Sequence, residues 1–204
     1  MFSLLLSMAA FAFIGAITPG PVNIIATSSG ATFGAARTCP HVLGATLGYT
    51  LVVLAAGLLL TLLGEQLPGF TEVLYYVGGL FLLYMAYRIG SMKQVGSTDG
   101  DSIAQPPRLI EGALVQMLNP KAWMVSMSGV ALFVSQQPDS LKWLLVFSAV
   151  SFGMCFLGVG FWAIAGQLIR QLLSSEGRQI AFNRLLGGLL AITVLVMFAE
   201  QWGI

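Results

Sequence analysis

"ITPGPVNIIA", residues 17–26, interrupts an otherwise apolar N-terminal run. Two prolines flank a glycine where a helix would have to continue. Proline removes a backbone donor and its ring collides with the preceding turn, so an unbroken helix cannot pass through. Proline does suit the first position of a new helix, and Thr18 ahead of Pro19 is a good N-cap type. The stretch therefore predicts that one helix stops and another starts here. The first amides of the new segment, on Gly20 and Val22, have no helical partner, and Pro21 offers none. That start carries roughly half a positive charge from the aligned peptide dipoles.

A second interruption reads "QMLNPKAW", residues 116–123. Asn119 is again a capping type ahead of Pro120, and the first free amides belong to Lys121 and Ala122. Both interruptions lie in runs that otherwise suit a membrane. Of 204 residues, 57% are hydrophobic and only 8% are charged, against about 25% charged in a soluble domain. Such a chain cannot cover a water-facing surface. A lipid bilayer is its natural solvent, and a helix crosses the hydrocarbon with about 20 apolar residues.

Six such spans are expected: Phe2–Ser29, His41–Gly64, Phe70–Ile89, Leu109–Val134, Leu141–Ile169 and Gln179–Trp202. The N-terminal run has no Lys or Arg before Arg37. It lacks the positive region of a cleaved signal, and is expected to stay as a membrane segment. The polar stretch "GSMKQVGSTDGDSIAQPPR", residues 90–108, is rich in Gly, Ser, Asp and Pro and marks a solvated loop. It divides a single transmembrane domain into repeat one (1–90), a loop (91–108) and repeat two (109–204). Of the nine basic residues, Arg37, Arg88, Lys93, Arg108, Arg170, Arg178 and Arg184 fall on one side, Lys142 on the other and Lys121 inside a span. Positive loops stay in the cytoplasm, which places both termini outside.

The halves echo one another. The third span, "YVGGLFLLYMAYR", and the sixth, "RLLGGLLAITVLVMF", each open with a glycine pair, Gly78-Gly79 and Gly187-Gly188. The first and fourth are the interrupted ones. Three spans per half give the halves opposite orientations. The expected fold is thus an all-α integral membrane protein of six transmembrane helices, arranged as two inverted three-helix repeats, with helices one and four broken near the midplane. Broken spans at corresponding places in inverted repeats point to a transport site. Glycine and proline are also common in membrane helices that carry no site.

If the halves are inverted, both half-helix starts face the midplane. Together with the Lys121 ammonium they form an anion-attracting centre, and a carboxylate is the obvious small guest. Gly20 would let that guest approach the backbone closely. A lysine inside a membrane costs about 2.5–3.5 kcal/mol on the milder insertion scale, which makes Lys121 a functional candidate. The bland alternative is snorkelling, or pairing with Glu111. Asn23 offers both donor and acceptor, or simply ties helices together. The acids Glu65, Glu72, Glu111 and Glu200 sit near span ends, so a neutral amino acid suits the site better than a cationic one. Its amine has candidate acceptors in the carbonyls freed at Ile17 or Leu118, or in hydroxyls of Ser28, Ser29, Ser126 and Ser128. Gly44 and Gly48 form a GxxxG that packs helices closely, within the subunit or across a homodimer. Tyr49 beside it either lines the pathway or packs. His41, the only histidine, is a weak candidate for proton coupling; beside Arg37 it also reads as a loop residue.

No cofactor or metal is expected. Cys39 and Cys155 make neither a disulfide framework nor a CxxC pair, and no GxxxxGK[ST] phosphate loop occurs. A net charge of +1 gives no reason to expect a nucleic-acid partner. The partners are the lipid bilayer and a small substrate. Paired acids, a Ser-Lys pair in register and a metal cluster are all missing from the sequence, which argues against an enzyme.

The stretch "AITPGPVNIIATSSGATFGAARTCPHVLGATLGYTLVVLAAGL" resembles the first-helix signature of the LysE/RhtB family of bacterial amino-acid exporters: a PGP, an Asn two residues on, a Gly-x3-Gly with an Arg, and a Gly-rich second helix. "LIEGALVQMLNPKAWMVSMSGVALFV" resembles the family's fourth-helix signature. Pro19, Gly20, Pro21, Asn23, Asn119, Pro120 and Lys121 fall on the family's motif positions. One departure is Val22, where many relatives place Asn directly after the PGP. The wording of "TPGPVNIIATSSG" and "AGQLIRQLLSSEGRQ" looks closest to the branch that exports cysteine and O-acetylserine. The resemblance implies proton-driven efflux across the bacterial inner membrane. A channel-like pore and a non-transporting scaffold are the competing readings.

Overall fold

The computed structural model describes residues 2–62, 67–91, 105–135, 137–170 and 175–201. Among these residues the chain is entirely helical outside short connections, with no strand. The elements are α1 (Phe2–Ile17), α2 (Pro21–Phe33), α3 (Ala35–Leu62), α4 (Leu67–Gly90), α5 (Leu109–Met117), α6 (Pro120–Phe133), α7 (Ser140–Arg170) and α8 (Glu176–Gln201). Among the described residues, three helices are long and apolar enough to cross a membrane, at 35–60, 140–170 and 177–196. The α1/α2 pair, bent by 63° at its break, makes a fourth if counted as one span. Glu65 and the stretch 92–104 of the central loop lie outside the described residues.

The joint between the first two spans differs most from expectation. The second span begins at Ala35 rather than His41, so no loop separates it from the first. Gly34 alone makes the joint, at φ +88° and ψ 158°, a backbone region that is essentially glycine-only. Arg37 and His41 consequently sit in the first two turns of α3. Pro40 lies inside that helix, as its sixth residue, and withholds the donor that the Ala36 carbonyl would otherwise accept.

Burial is inverted relative to a soluble protein. Phe2, Leu80, Leu141 and Leu168 are each more than 60% exposed, and a water-facing surface would not carry so much apolar area. Inside lie Asn23, Ser28, Asn119, Ser126, Ser151 and Asn183. Phe147, Met8 and Ile25 fill the apolar part of the core. α2 is the most enclosed element: every one of its residues except Ile24 is buried.

Several helices touch backbone to backbone. A Cβ placed on Gly44 would lie 1.9 Å from the Leu109 carbonyl oxygen, and one on Gly48 would lie 2.6 Å from that of Ala113. The GxxxG therefore seats α3 on α5, within the subunit. Gly30 and Gly166 bring α2 against α7 in the same manner, each facing the other helix's backbone. The two glycine pairs engage each other's helices: Gly79 of α4 accommodates Phe198 of α8, and Gly187 of α8 accommodates the Ala86 carbonyl of α4. Arg88 of α4 pairs with Glu111 of α5, whose other oxygen accepts the Arg108 amide at 3.0 Å. Glu111 is thereby committed away from Lys121.

Candidate functional site

The first break is built by its own residues. Thr18 ends α1 by bonding backward: its amide donates to the Ile14 carbonyl at 3.1 Å and its hydroxyl to the same oxygen. It does not cap α2, contrary to what its residue type suggests. Gly20 takes the cap position in extended conformation, with no side-chain bond, and Pro21 stands in the first turn. The Gly20 carbonyl accepts the first helical amides, from Asn23 and Ile24, both at 3.0 Å. The amides of Gly20 and Val22 precede this ladder.

The second break follows the expected pattern. Asn119 caps α6, its side-chain oxygen accepting the Lys121 amide at 3.1 Å. Its carbonyl takes the Ala122 amide at 2.9 Å.

The two breaks meet. Lys121 Nζ donates to the Thr18 carbonyl at 2.8 Å and lies 3.4 Å from that of Pro19. A Cβ on Gly20 would stand 3.3 Å from Nζ, so Gly20 is small because Lys121 lies over it. Its extended backbone would suit any residue. The carbonyls at the end of α1, which have no helical partner, are bonded by side chains: Ala16 and Thr18 by Asn23 Nδ2, both at 2.9 Å, and Ile17 by Trp162 Nε1 at 2.9 Å. In the second break, Trp123 Nε1 holds the Met117 carbonyl at 2.7 Å. The Ile17 carbonyl is thus already engaged, and is not open to a substrate amine.

A small, partly open cleft lies at this junction. Of the predicted residues, Gly20, Asn23, Tyr49, Asn119 and Lys121 line it. Thr18 and Pro19 contribute carbonyls that hold Lys121. Pro21 and Pro120 shape the half-helix starts, and Ser126 is fully buried near Tyr49 without lining the cleft. His41 is fully buried within α3, beside the backbone of the lining residue Val22 but not itself lining the cleft, which replaces the loop reading. Ser28 bonds Asn183 and Ser29 bonds Thr38, so both serve packing between helices. Ser128 is exposed.

Among the lining residues that escaped the sequence reading, two carry polar atoms or a thiol. Gln116 accepts from Asn119 Nδ2 at 3.3 Å and approaches Cys155 Sγ at 3.7 Å. Gln116 had a signal, being the polar residue one turn ahead of Asn119. Cys155 had none: only the packing of α7 brings it to the cleft. Both cysteines are free thiols.

An all-helical apolar bundle with a polar cleft where two broken helices abut defines a membrane protein organised around a small internal site. The comparison with known families makes that class specific. The LysE type translocator family matches residues 13–200, and the chain belongs to that family. A cysteine/O-acetylserine efflux protein of Klebsiella pneumoniae is 28% identical over 190 residues, covering 93% of this chain and 94% of its own. The proteins of that name from Escherichia coli K12 and Shigella flexneri are each 27% identical over 171 residues, covering 83% of this chain and 86% of theirs. No solved structure matches the chain.

Proposed function

We propose that this protein exports small neutral amino acids from the cytoplasm of a bacterium across its inner membrane. Cysteine, O-acetylserine and serine-like or threonine/homoserine-like molecules form the candidate set. The relatives' names support the class of cargo. The observation that carries the reading is the junction itself, where Lys121 reaches across to the Thr18 carbonyl beside Gly20 and two half-helices begin. A substrate carboxylate entering the cleft takes the place of those carbonyls as the partner of Nζ. The unpartnered amides at the start of α2 add positive potential at the same place.

The mechanism we infer is proton-coupled alternating access between two inverted three-helix halves with their termini outside. The packing supports the repeat. The contact of α3 with α5 through Gly44 has its counterpart where Gly158 of α7 meets Ala16 of α1, and α4 and α8 receive each other's glycines reciprocally. The tight backbone contacts of α2 with α7 and of α3 with α5 gather at the arginine-rich end. Toward the opposite end, Gly15 and Gly129 meet side chains, Val125 and Phe147, and a Cβ on Gly158 would meet Ala16 less closely, 2.7 Å from its Cβ and 3.0 Å from its backbone. This asymmetry supports a state shut more firmly on the side read as cytoplasmic.

The test is counterflow in proteoliposomes. Saturable exchange of labelled against unlabelled serine or cysteine is the expected result. A leak that does not saturate would indicate a pore, and absence of any flux a scaffold.

A further inference from the structure

The structure assigns Asn23 Oδ1 as the acceptor that reads the substrate's α-ammonium group, an inference that rests on the amino-acid export reading above. Both hydrogens of Nδ2 are committed, one to the Ala16 carbonyl and one to the Thr18 carbonyl, each at 2.9 Å. Turning the amide over would press Oδ1 against two carbonyl oxygens, so its orientation is fixed by its partners. Oδ1 is therefore held the other way. The residue is 2% exposed and lines the cleft, yet Oδ1 has no hydrogen-bond partner.

A buried acceptor without a donor is an uncommon cost, and one explanation is a ligand that completes it. The other side-chain amide oxygens of the cleft are engaged. Asn119 Oδ1 accepts the Lys121 amide and Gln116 Oε1 accepts from Asn119. Lys121 Nζ and Asn23 Nδ2 donate to the same Thr18 carbonyl. A cationic donor and a bare acceptor are thus set around one peptide group. An α-amino acid carries the complementary pair, a carboxylate and an ammonium, on a single carbon. The site so described selects for a donating amine, whatever the side chain attached to it. A site built to bond a substrate N–H rejects an analogue lacking it, because its own polar atom is then left buried and bare.

The experiment uses the full chain in proteoliposomes, with counterflow of labelled L-cysteine or L-serine as readout. Competitors are the unlabelled amino acid, its des-amino counterpart (3-mercaptopropionate or 3-hydroxypropionate) and its N-trimethyl derivative, which cannot donate. The amino acid should compete at least roughly tenfold more strongly than either analogue. In Asn23→Ala that ratio should collapse to within about threefold, whatever happens to the overall rate. Loss of the Asn23 clamp on Ala16 and Thr18 would lower the rate for every ligand alike and leave the ratio standing, so an unchanged ratio overturns the assignment. Equal competition by the analogues in the unaltered protein overturns it too. Should Asn23→Ala fail to insert, the N-trimethyl competitor decides: exclusion upholds the role of Oδ1, and full competition refutes it. Absence of exchange for both labelled amino acids would overturn the export reading itself, and this inference with it, whereas exchange without discrimination sinks the inference alone.

Discussion

Asn23 and Lys121, from opposite halves of the chain, donate to a single oxygen, the carbonyl of Thr18, at 2.9 Å and 2.8 Å. The peptide group they share belongs to the first break. The break thus supplies its own ligands: proline releases the carbonyls from the helix, and those carbonyls then anchor a cation that would otherwise be costly in lipid. The two interruptions form one polar centre, sealed by Trp162 on one side and by Asn119 and Trp123 on the other.

Lys121→Ala tests the cation. Hydrogen bonds to charged groups are worth about 1.5–3 kcal/mol, so amino-acid efflux should fall roughly tenfold to a hundredfold. The protein should stay inserted, because removing a cation from the membrane interior also removes a cost of about 2.5–3.5 kcal/mol. Efflux from preloaded cells, read beside the amount of protein in the membrane, separates the two effects. Full efflux by this variant would falsify the anion-centre reading.

Gly44→Ala should destabilise the bundle by about 1–3 kcal/mol, the usual range for overpacking. Its Cβ would stand 1.9 Å from the Leu109 carbonyl oxygen, and backbone cannot rotate aside as a side chain can. Gly188→Ala is the control. Nothing lies within 4 Å of that Cβ, so it should be neutral or gain about 0.4–1 kcal/mol by stiffening the unfolded chain. Thermal unfolding in detergent ranks the two; equal melting temperatures would mean that α3 and α5 do not meet as described.

Gly34→Ala should cost about 1–3 kcal/mol for a different reason, strain rather than collision. The nearest atom to its Cβ is Gln167 Oε1 at 3.5 Å, an ordinary contact, but φ is +88°. The same Gln167 oxygen accepts the Ala35 amide at 2.7 Å, so Gln167→Ala should loosen the joint as well. A melting temperature for Gly34→Ala equal to that of the unaltered protein would rule out the strained turn.

Gly34 also shows where the sequence stopped being legible. Proline breaks can be read because a missing donor is a local fact, and Pro19 and Pro120 mark their half-helices without any knowledge of neighbours. A one-residue turn through a glycine-only conformation leaves no such mark, and Arg37 made the segment look like a loop. Within the site, Asn119 caps as its residue type suggests because its partner is two residues away. Thr18 does not, because Gly20 takes the cap and the Thr18 hydroxyl satisfies the preceding turn instead. Gln167, Trp162 and Cys155 join their partners only through the packing of α7, which no local pattern encodes.

The orientation gives the last prediction. Arg88, Arg108, Arg170, Arg178 and Arg184 lie at the ends of α4, α5, α7 and α8 that share a side with the start of α3, and basic ends resist translocation. In a Cys39→Ser background, which removes the exposed thiol, Thr98→Cys in the central loop should react with an impermeant maleimide only after the cells are opened. Ser3→Cys, near the other end of α1, should react in intact cells. The remaining thiol, Cys155, is buried and should stay silent in both cases. Exchange of the two labelling patterns would invert the protein in the membrane. The cleft would keep its chemistry, but the end sealed backbone on backbone would then face outward, and the state described here would be the one that loads from the cytoplasm.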